Sequence, residues 1–310
     1  MSELLPQIKH VYQNHHLDST RWENFQVRDD DIIIATPYKS GTTWMQNIVR
    51  HLVFLEQPTM PAQTDVSPWL DNRLFPIEDI LSKLEAQEHR RFVKTHLPLE
   101  GLAFYQQAKY IVMGRDSRDV FMSLWDHYRN YTPELINLMN EDVPGLVGSP
   151  LPPCPVDIGT LWYMWMTRGW FEWEREGYPF WSNISHVQSW WDFRSLPNIL
   201  FVHFSDLLRD PSGEITRVAK FLDIAASGQQ VESIVEATSF QSMKGKAEDY
   251  APAGGRAWVG GAQTFMNQGI NGRWKNVLVP EDLSLYNESA SRILSPSCQQ
   301  WLENGRLASV

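Results

Sequence analysis

The feature that most constrains this chain is a repeated order. A short apolar run is followed by a polar loop, then by apolar residues at helical spacing. Residues 31–35, Asp-Ile-Ile-Ile-Ala, form the first run, short and apolar as a buried strand is. A loop with Pro, Lys and Gly follows, and segment 43–55 then carries Trp44, Ile48, Leu52 and Leu55 at helical intervals. Residues 91–94 and 110–113 read as two further strands, the latter running into a helix that starts near Ser117. Residues 199–202 are a fourth, followed by a helix over 213–222. Strands alternating with helices predict an α/β fold with a central parallel β-sheet flanked by helices. No internal repeat or long linker interrupts the 310 residues, so 1–310 reads as a single domain. Ligands of such folds bind beyond the carboxyl ends of the strands, and the polar residues just after each strand become the candidates.

Composition narrows the ligand. The formal net charge is −10, whereas nucleic-acid binding needs a concentrated basic surface; no nucleic-acid partner is expected. A small polyanion remains compatible if a few cations and backbone N–H groups converge locally. No run has the length and apolarity of a bilayer-spanning helix, and the charged N-terminus lacks the apolar core of a signal peptide. The expectation is a cytoplasmic protein without membrane insertion. Cys154 and Cys298 lack the neighbours of a disulfide framework, a metal site or a nucleophile, and no metal is expected.

Three strand ends carry chemistry. After the first run comes Thr36-Pro-Tyr-Lys39-Ser40-Gly41-Thr42-Thr43-Trp44. The unpaired N–H groups of a first helical turn, two threonine hydroxyls and a lysine make an anion site. It is not GxxxxGK[ST], because Lys precedes Gly here. An ordinary turn with a threonine cap has the same outline. After the second run come Lys94 and His96, two residues apart and therefore on one side of an extended segment. A cation beside a histidine suits acid–base work near a phosphate. After the third run comes Arg115, with Ser123 eight residues on, about two helical turns away; both can reach one phosphate if the helix packs beside the first loop. The bland alternative is an Arg115–Asp119 ion pair.

These segments together resemble the cytosolic sulfotransferase family. Its donor is 3′-phosphoadenosine 5′-phosphosulfate and its product is adenosine 3′,5′-bisphosphate. The family's first loop reads much like TYPKSGTTW; here Pro37 and Tyr38 are swapped, while Lys39 to Trp44 match. KTHLP, Arg115 with Ser123, the TSF stretch at Thr238-Ser239-Phe240 and a Gly-Trp-Lys stretch near residue 274 follow in the family's order. The likeness spans roughly residues 20–285 and implies a P-loop-like three-layer fold. It implies that Lys39, Ser40, Gly41, Thr42 and Thr43 hold the 5′-phosphosulfate, with Trp44 stacking on adenine opposite Phe240, near Thr238. It also implies that Arg115 and Ser123 bind the 3′-phosphate, Met266 and Gly269 line the nucleotide site, and Ser123 bonds Lys39 until transfer begins. His96 is implied as the base, with Lys39, Lys94 and Ser123 assisting. The other eight histidines, His127 among them, are expected to be structural or at the surface.

The chain departs from the family in three places. Asn267 and Gln268 stand where Arg and Lys are expected. Each charged hydrogen bond to phosphate is worth about 1.5–3 kcal/mol, so a substitute cation is needed, with Lys244, Lys246, Arg256 and Arg273 nearby in sequence. Phe204 replaces the tyrosine of a YEDL segment. The family's dimer motif matches poorly after Lys275, so no oligomeric state is inferred.

For the acceptor, residues 161–173 form a helix-like run dense in aromatics, and Trp181, Trp190 and Trp191 follow. Some of these, with Phe75, Phe104 and the 130–155 loop, are expected to line a pocket for a small hydrophobic alcohol or phenol. Segment 240–275 reads as a long binding loop. Two other readings remain open on the sequence: a P-loop small-molecule kinase, and a non-catalytic adenine-nucleotide-binding protein of the same fold.

Overall fold

The computed structural model describes residues 5–57, 59–142 and 145–309. Among them, β1 (Ile32–Ala35), β2 (Phe92–Thr95), β3 (Lys109–Gly114) and β4 (Ile199–His203) form one sheet in the order β2-β1-β3-β4, with every pair parallel. Ile32 lies opposite Phe92 and Lys109, and Ala35 opposite Thr95 and Val112. The carboxyl ends of β1 and β2 are thereby level, and β3 runs past them to Gly114. Each strand falls within a residue or two of its expected run.

Strand side chains alternate between two cores. Ile33, Ala35, Val93, Tyr110 and Val112 join one; Ile32, Ile34, Phe92, Ile111, Met113 and Val202 join the other. A sheet buried on both faces needs a continuous apolar strand rather than an alternating one, as residues 32–35 show. Helix α1 (Thr42–Val53) packs on the second face through Met45, Ile48, Val49 and Leu52, a spacing that draws one stripe along a helix. Helix α2 (Ser117–Tyr128) covers the first face through Val120, Phe121 and Leu124. Its start is set by Asp116, whose carboxylate accepts from the Arg118 N–H at 2.9 Å. A further helix starts at Pro211 rather than Gly213, because Asp210 caps it.

The structure corrects two expectations. The aromatic helix covers only Ile158–Thr167. Beyond it the chain folds back: a Cβ on Gly169 would lie 2.6 Å from the Glu174 carbonyl carbon, and the Glu174 carboxylate accepts from the N–H groups of Trp170, Phe171 and Ser182. Segment 240–275 is not one loop but a series of short helical turns, including Phe240–Gly245, Ala247–Tyr250 and Ala262–Phe265. Residues 56–90 hold the short helices Gln63–Val66 and Ile77–Glu85, and Trp69 bridges alongside Lys94.

At the amino end of the strands, Arg91 and Asp31 form a buried two-pronged ion pair, Nε–Oδ1 2.9 Å and Nη2–Oδ2 2.5 Å. No helix among the described residues is long and apolar enough to cross a membrane.

Candidate active site

The sheet order changes direction between β1 and its neighbours. β1 therefore sends its loop into the crevice at the strands' carboxyl ends, with the ends of β2 and β3 on either side. Gly41 makes the turn. It precedes α1 with φ 103°, and a Cβ there would meet the Phe204 ring at 2.9 Å. No side chain caps α1, so the N–H groups of Thr42 and Thr43 remain available to a ligand. Ser40 is buried, and its Oγ has no hydrogen-bond partner among the described residues. Thr42 Oγ1 instead meets Thr36 Oγ1 at 2.6 Å. Trp44 lies half-buried, edge-on to Phe204 at 5.3 Å.

Three cations converge here without counterions. Lys39 and Lys94 are half-buried and Arg115 is buried. None of them has a carboxylate within ion-pairing distance among the described residues. Burial first, then the nearby Arg115 and Lys94, pushes the Lys39 amine down to about 7. Burial brings Lys94 down to about 8 and Arg115 to about 10. Asp126, Asp71 and Asp119 oppose these shifts at Lys39, Lys94 and Arg115 from beyond ion-pairing distance without cancelling them, so the depression marks positive charge held out of water and incompletely compensated. Arg115 is fixed by neutral groups: Nε to Asn271 Oδ1 at 2.9 Å, Nη2 to the Ile270 carbonyl at 2.8 Å, and its plane 4.2 Å over the Phe204 ring. The alternative Arg115–Asp119 pair does not form; Asp119 accepts from the Gly272 N–H at 2.7 Å.

His96 is buried, and its Nδ1 lies 2.8 Å from the Thr36 carbonyl. A carbonyl only accepts, so Nδ1 carries the proton and Nε2 holds the free lone pair. Burial, reinforced by Lys94, holds this imidazole well below its ordinary pKa; it is a neutral base near pH 7. Trp69 ties the β2 end together, its ring 4.8 Å from His96 and 5.1 Å from Lys94 Nζ. Tyr38 and Trp181 close the other sides of the imidazole at 5.1 and 6.0 Å.

Of the residues the sequence singles out, Lys39, Ser40, Gly41, Thr42, Thr43, Lys94, His96 and Arg115 come together around this crevice. Ser123 sits half-buried on α2, but Lys39 Nζ bonds His127 Nδ1 at 2.9 Å rather than Ser123. His127, expected to be structural or at the surface, is buried on α2 one helical turn from Ser123 and bonds Lys39. Thr238 is buried with its hydroxyl donated to the Ile234 carbonyl. Phe240 abuts Gly269, where a Cβ would meet its ring at 2.4 Å. Met266 packs with Phe265 against Ala247, Ala251 and Ala262. Asn267 donates to Asp126 at 2.6 Å, beside the Arg273–Asp126 ion pair, and Lys244 reaches the Asn267 carbonyl at 2.5 Å. Lys246 and Arg256 are exposed.

Trp181 borders His96, and Tyr131 borders Tyr38; the expected 130–155 loop is instead helical over Pro133–Asn137 and Leu138–Asp142, and residues 143 and 144 lie outside the described residues. Trp162 and Trp165 pack on Phe121 in the core. Trp190 packs on Tyr110, and Trp191 on Trp301. Phe104 stacks on Tyr110 near the start of β3, the wrong end of the sheet, and Phe75 is 52% exposed.

A parallel sheet with an uncapped loop–helix turn, converging cations and a neutral histidine at its strand ends defines a P-loop-like group-transfer enzyme. A family model described as "Sulfotransferase domain" matches residues 29–294, and the chain belongs to that family. It is 32% identical over 310 residues to a glycolipid sulfotransferase of Mycobacterium bovis (strain BCG / Pasteur 1173P2), covering 96% of this chain and 94% of the relative. It is 30% identical over 266 residues to sulfotransferase 1E1 of Homo sapiens, covering 82% and 81%. Among solved structures, mouse sulfotransferase SULT7A1 complexed with PAP superposes with a TM-score of 0.68 at 19% identity, over 91% of this chain and 90% of that one. This last likeness speaks to the fold.

Proposed function

We propose that this sulfotransferase takes its sulfuryl group from 3′-phosphoadenosine 5′-phosphosulfate and gives it to a hydroxyl of a small hydrophobic or aromatic acceptor, with His96 as general base. One observation carries the reading: Lys39, Lys94 and Arg115 converge without a carboxylate partner beside a histidine whose free lone pair is fixed by Thr36. The relatives' names and the neighbours solved with PAP agree with it.

The residues present fit such a donor. The orphaned Ser40 Oγ and the N–H groups of Thr42 and Thr43 offer donors to a 5′-phosphosulfate. Arg115 and Ser123 are assigned to the 3′-phosphate, and Trp44, Thr238, Phe240, Met266 and Gly269 to the adenosine. Asn267 and Gln268 leave a deficit of charge. Of the four nearby cations, Lys244 is the one whose ammonium touches this segment and has no carboxylate partner among the described residues.

Bound there, the donor supplies the sulfuryl group and departs as adenosine 3′,5′-bisphosphate. His96 Nε2 takes the acceptor's proton as its oxygen bonds to sulfur. Lys39, Lys94 and the loop N–H groups stabilise the charge that moves onto the departing phosphate oxygen. Tyr38, Trp69 and Trp181 enclose His96 in rings, which suits an apolar alcohol and excludes water. The test is bisphosphate release from the donor in the presence of phenols, sterols or glycolipids. Acceptor-dependent release supports the reading; transfer only from ATP would refute it.

A further inference from the structure

His127 is buried one turn beyond Ser123 on α2, and both of its ring nitrogens are engaged. Nδ1 meets Lys39 Nζ at 2.9 Å; Nε2 meets the Tyr38 hydroxyl at 2.9 Å, and that hydroxyl meets the Tyr131 hydroxyl at 3.1 Å. A lysine ammonium can only donate. Nδ1 therefore accepts, Nε2 carries the ring proton, and Tyr38 receives it. The arrangement depends on a departure noted in the sequence: with Pro37 before Tyr38, the tyrosine directly precedes Lys39. Lys39 itself has φ 65°, a left-handed conformation uncommon for a side-chain-bearing residue. Its backbone is thus held in a turn that directs the ammonium toward α2. The ring of Tyr38 meanwhile packs edge-on against His96.

We propose that His127 is a positioning residue for sulfuryl transfer, holding the Lys39 ammonium through Nδ1 while its Nε2–H is anchored on Tyr38. This rests on the function proposed above, in which Lys39 faces the departing phosphate. The role expected of Ser123 toward Lys39 passes to His127 in this chain. Through Tyr38, one side-chain linkage sets both the lysine and a wall of the base's pocket. The rings of Tyr131, Trp258 and Phe265 also pack around His127, at 5.2, 4.9 and 5.9 Å. Lys39 Nζ lies 5.3 Å over the Phe265 ring as well, so a cation–π contact accompanies its bond to Nδ1.

The test pairs a double-mutant cycle with a spectroscopic one in the full chain. His127→Phe keeps the ring and removes both polar contacts. His127→Asn keeps an acceptor near the Nδ1 position, and His127→Gln keeps a donor near the Nε2 position. With the phosphosulfate donor, His127→Phe is expected to lower kcat about ten- to a hundredfold, with KM for the acceptor little changed, and Asn is expected to restore more than Gln. In a Lys39→Met background the His127→Phe change is expected to add almost nothing. Additive losses, which a purely structural role gives, or Gln rescuing as well as or better than Asn, would overturn the proposal. Nitrogen NMR of the free protein, recorded below the Lys39 titration at about 7 so that the amine is an ammonium, decides the bond independently of turnover. Nδ1 is expected to be unprotonated, with a resonance that moves in Lys39→Met; a protonated Nδ1 contradicts the proposal. If wild type binds no bisphosphate and shows no transfer, the function reading fails, while the NMR result still decides the Lys39–His127 contact.

Discussion

The two ends of the sheet hold the same kinds of charge in opposite states. At the amino end, Arg91 meets Asp31 in a buried two-pronged pair, and Lys109 is paired with Asp223 next to the Phe221 carbonyl. At the carboxyl end, Lys39, Lys94 and Arg115 have only neutral partners, and burial depresses all three. A buried paired charge is held by its partner, and losing that partner is costly. Buried unpaired cations instead lower the stability of the free protein and regain the loss when an anion arrives. The amino end of this sheet is organised for folding and the carboxyl end for a ligand.

Substitutions can break or sharpen that contrast. The largest effect is expected from His96→Ala, which should lower turnover by about 10²–10⁴-fold while leaving bisphosphate affinity nearly intact by calorimetry; retained turnover would remove His96 from its role. Next, Arg91→Ala should cost about 3–5 kcal/mol in denaturant unfolding, because it strands Asp31, and should not change ligand affinity among folded molecules. Arg115→Ala should do the reverse. Bisphosphate affinity is expected to fall about ten- to a hundredfold, with a smaller stability loss than Arg91→Ala. Equal stability losses at the two positions would end the comparison.

The pH dependence has a definite sign. The cationic form of Lys39 binds an anion, and its amine titrates at about 7 in the free protein, so bisphosphate affinity should be highest below that value and fall as pH rises through it. Lys94, at about 8, extends the fall. Lys39→Met cannot titrate and should lose the lower part of the slope, by at most about tenfold per pH unit. His96 is held well below its ordinary value, so activity should show no loss from its protonation near pH 6.5. The smallest effect is expected from Lys244→Ala, a severalfold weaker bisphosphate affinity by calorimetry, if Lys244 offsets Asn267 and Gln268.

The same division governs what the sequence discloses. Strand-end residues are legible because a short apolar run fixes where a strand stops, and parallel pairing then makes Lys39, His96 and Arg115 leave from the same edge of the sheet. His127 is not legible, since its role exists only where α2 packs against the β1 loop, and its spacing from Ser123 also fits a core position. The aromatic run misleads as well: Gly169 permits a reversal that composition does not announce, so Trp162 and Trp165 join the core and Trp181 the site. Segment 240–275 reads as loop because its order comes from distant polar partners, such as Asp126 for Asn267 and Asp119 for Gly272.

The most direct test of the central claim is calorimetric titration of the protein with adenosine 3′,5′-bisphosphate beside AMP and ATP, repeated with Arg115→Ala. A clear preference for the bisphosphate is expected, and Arg115→Ala should reduce it. No binding, or a preference for ATP, would contradict it, because the cations at the carboxyl end would then serve a different anion.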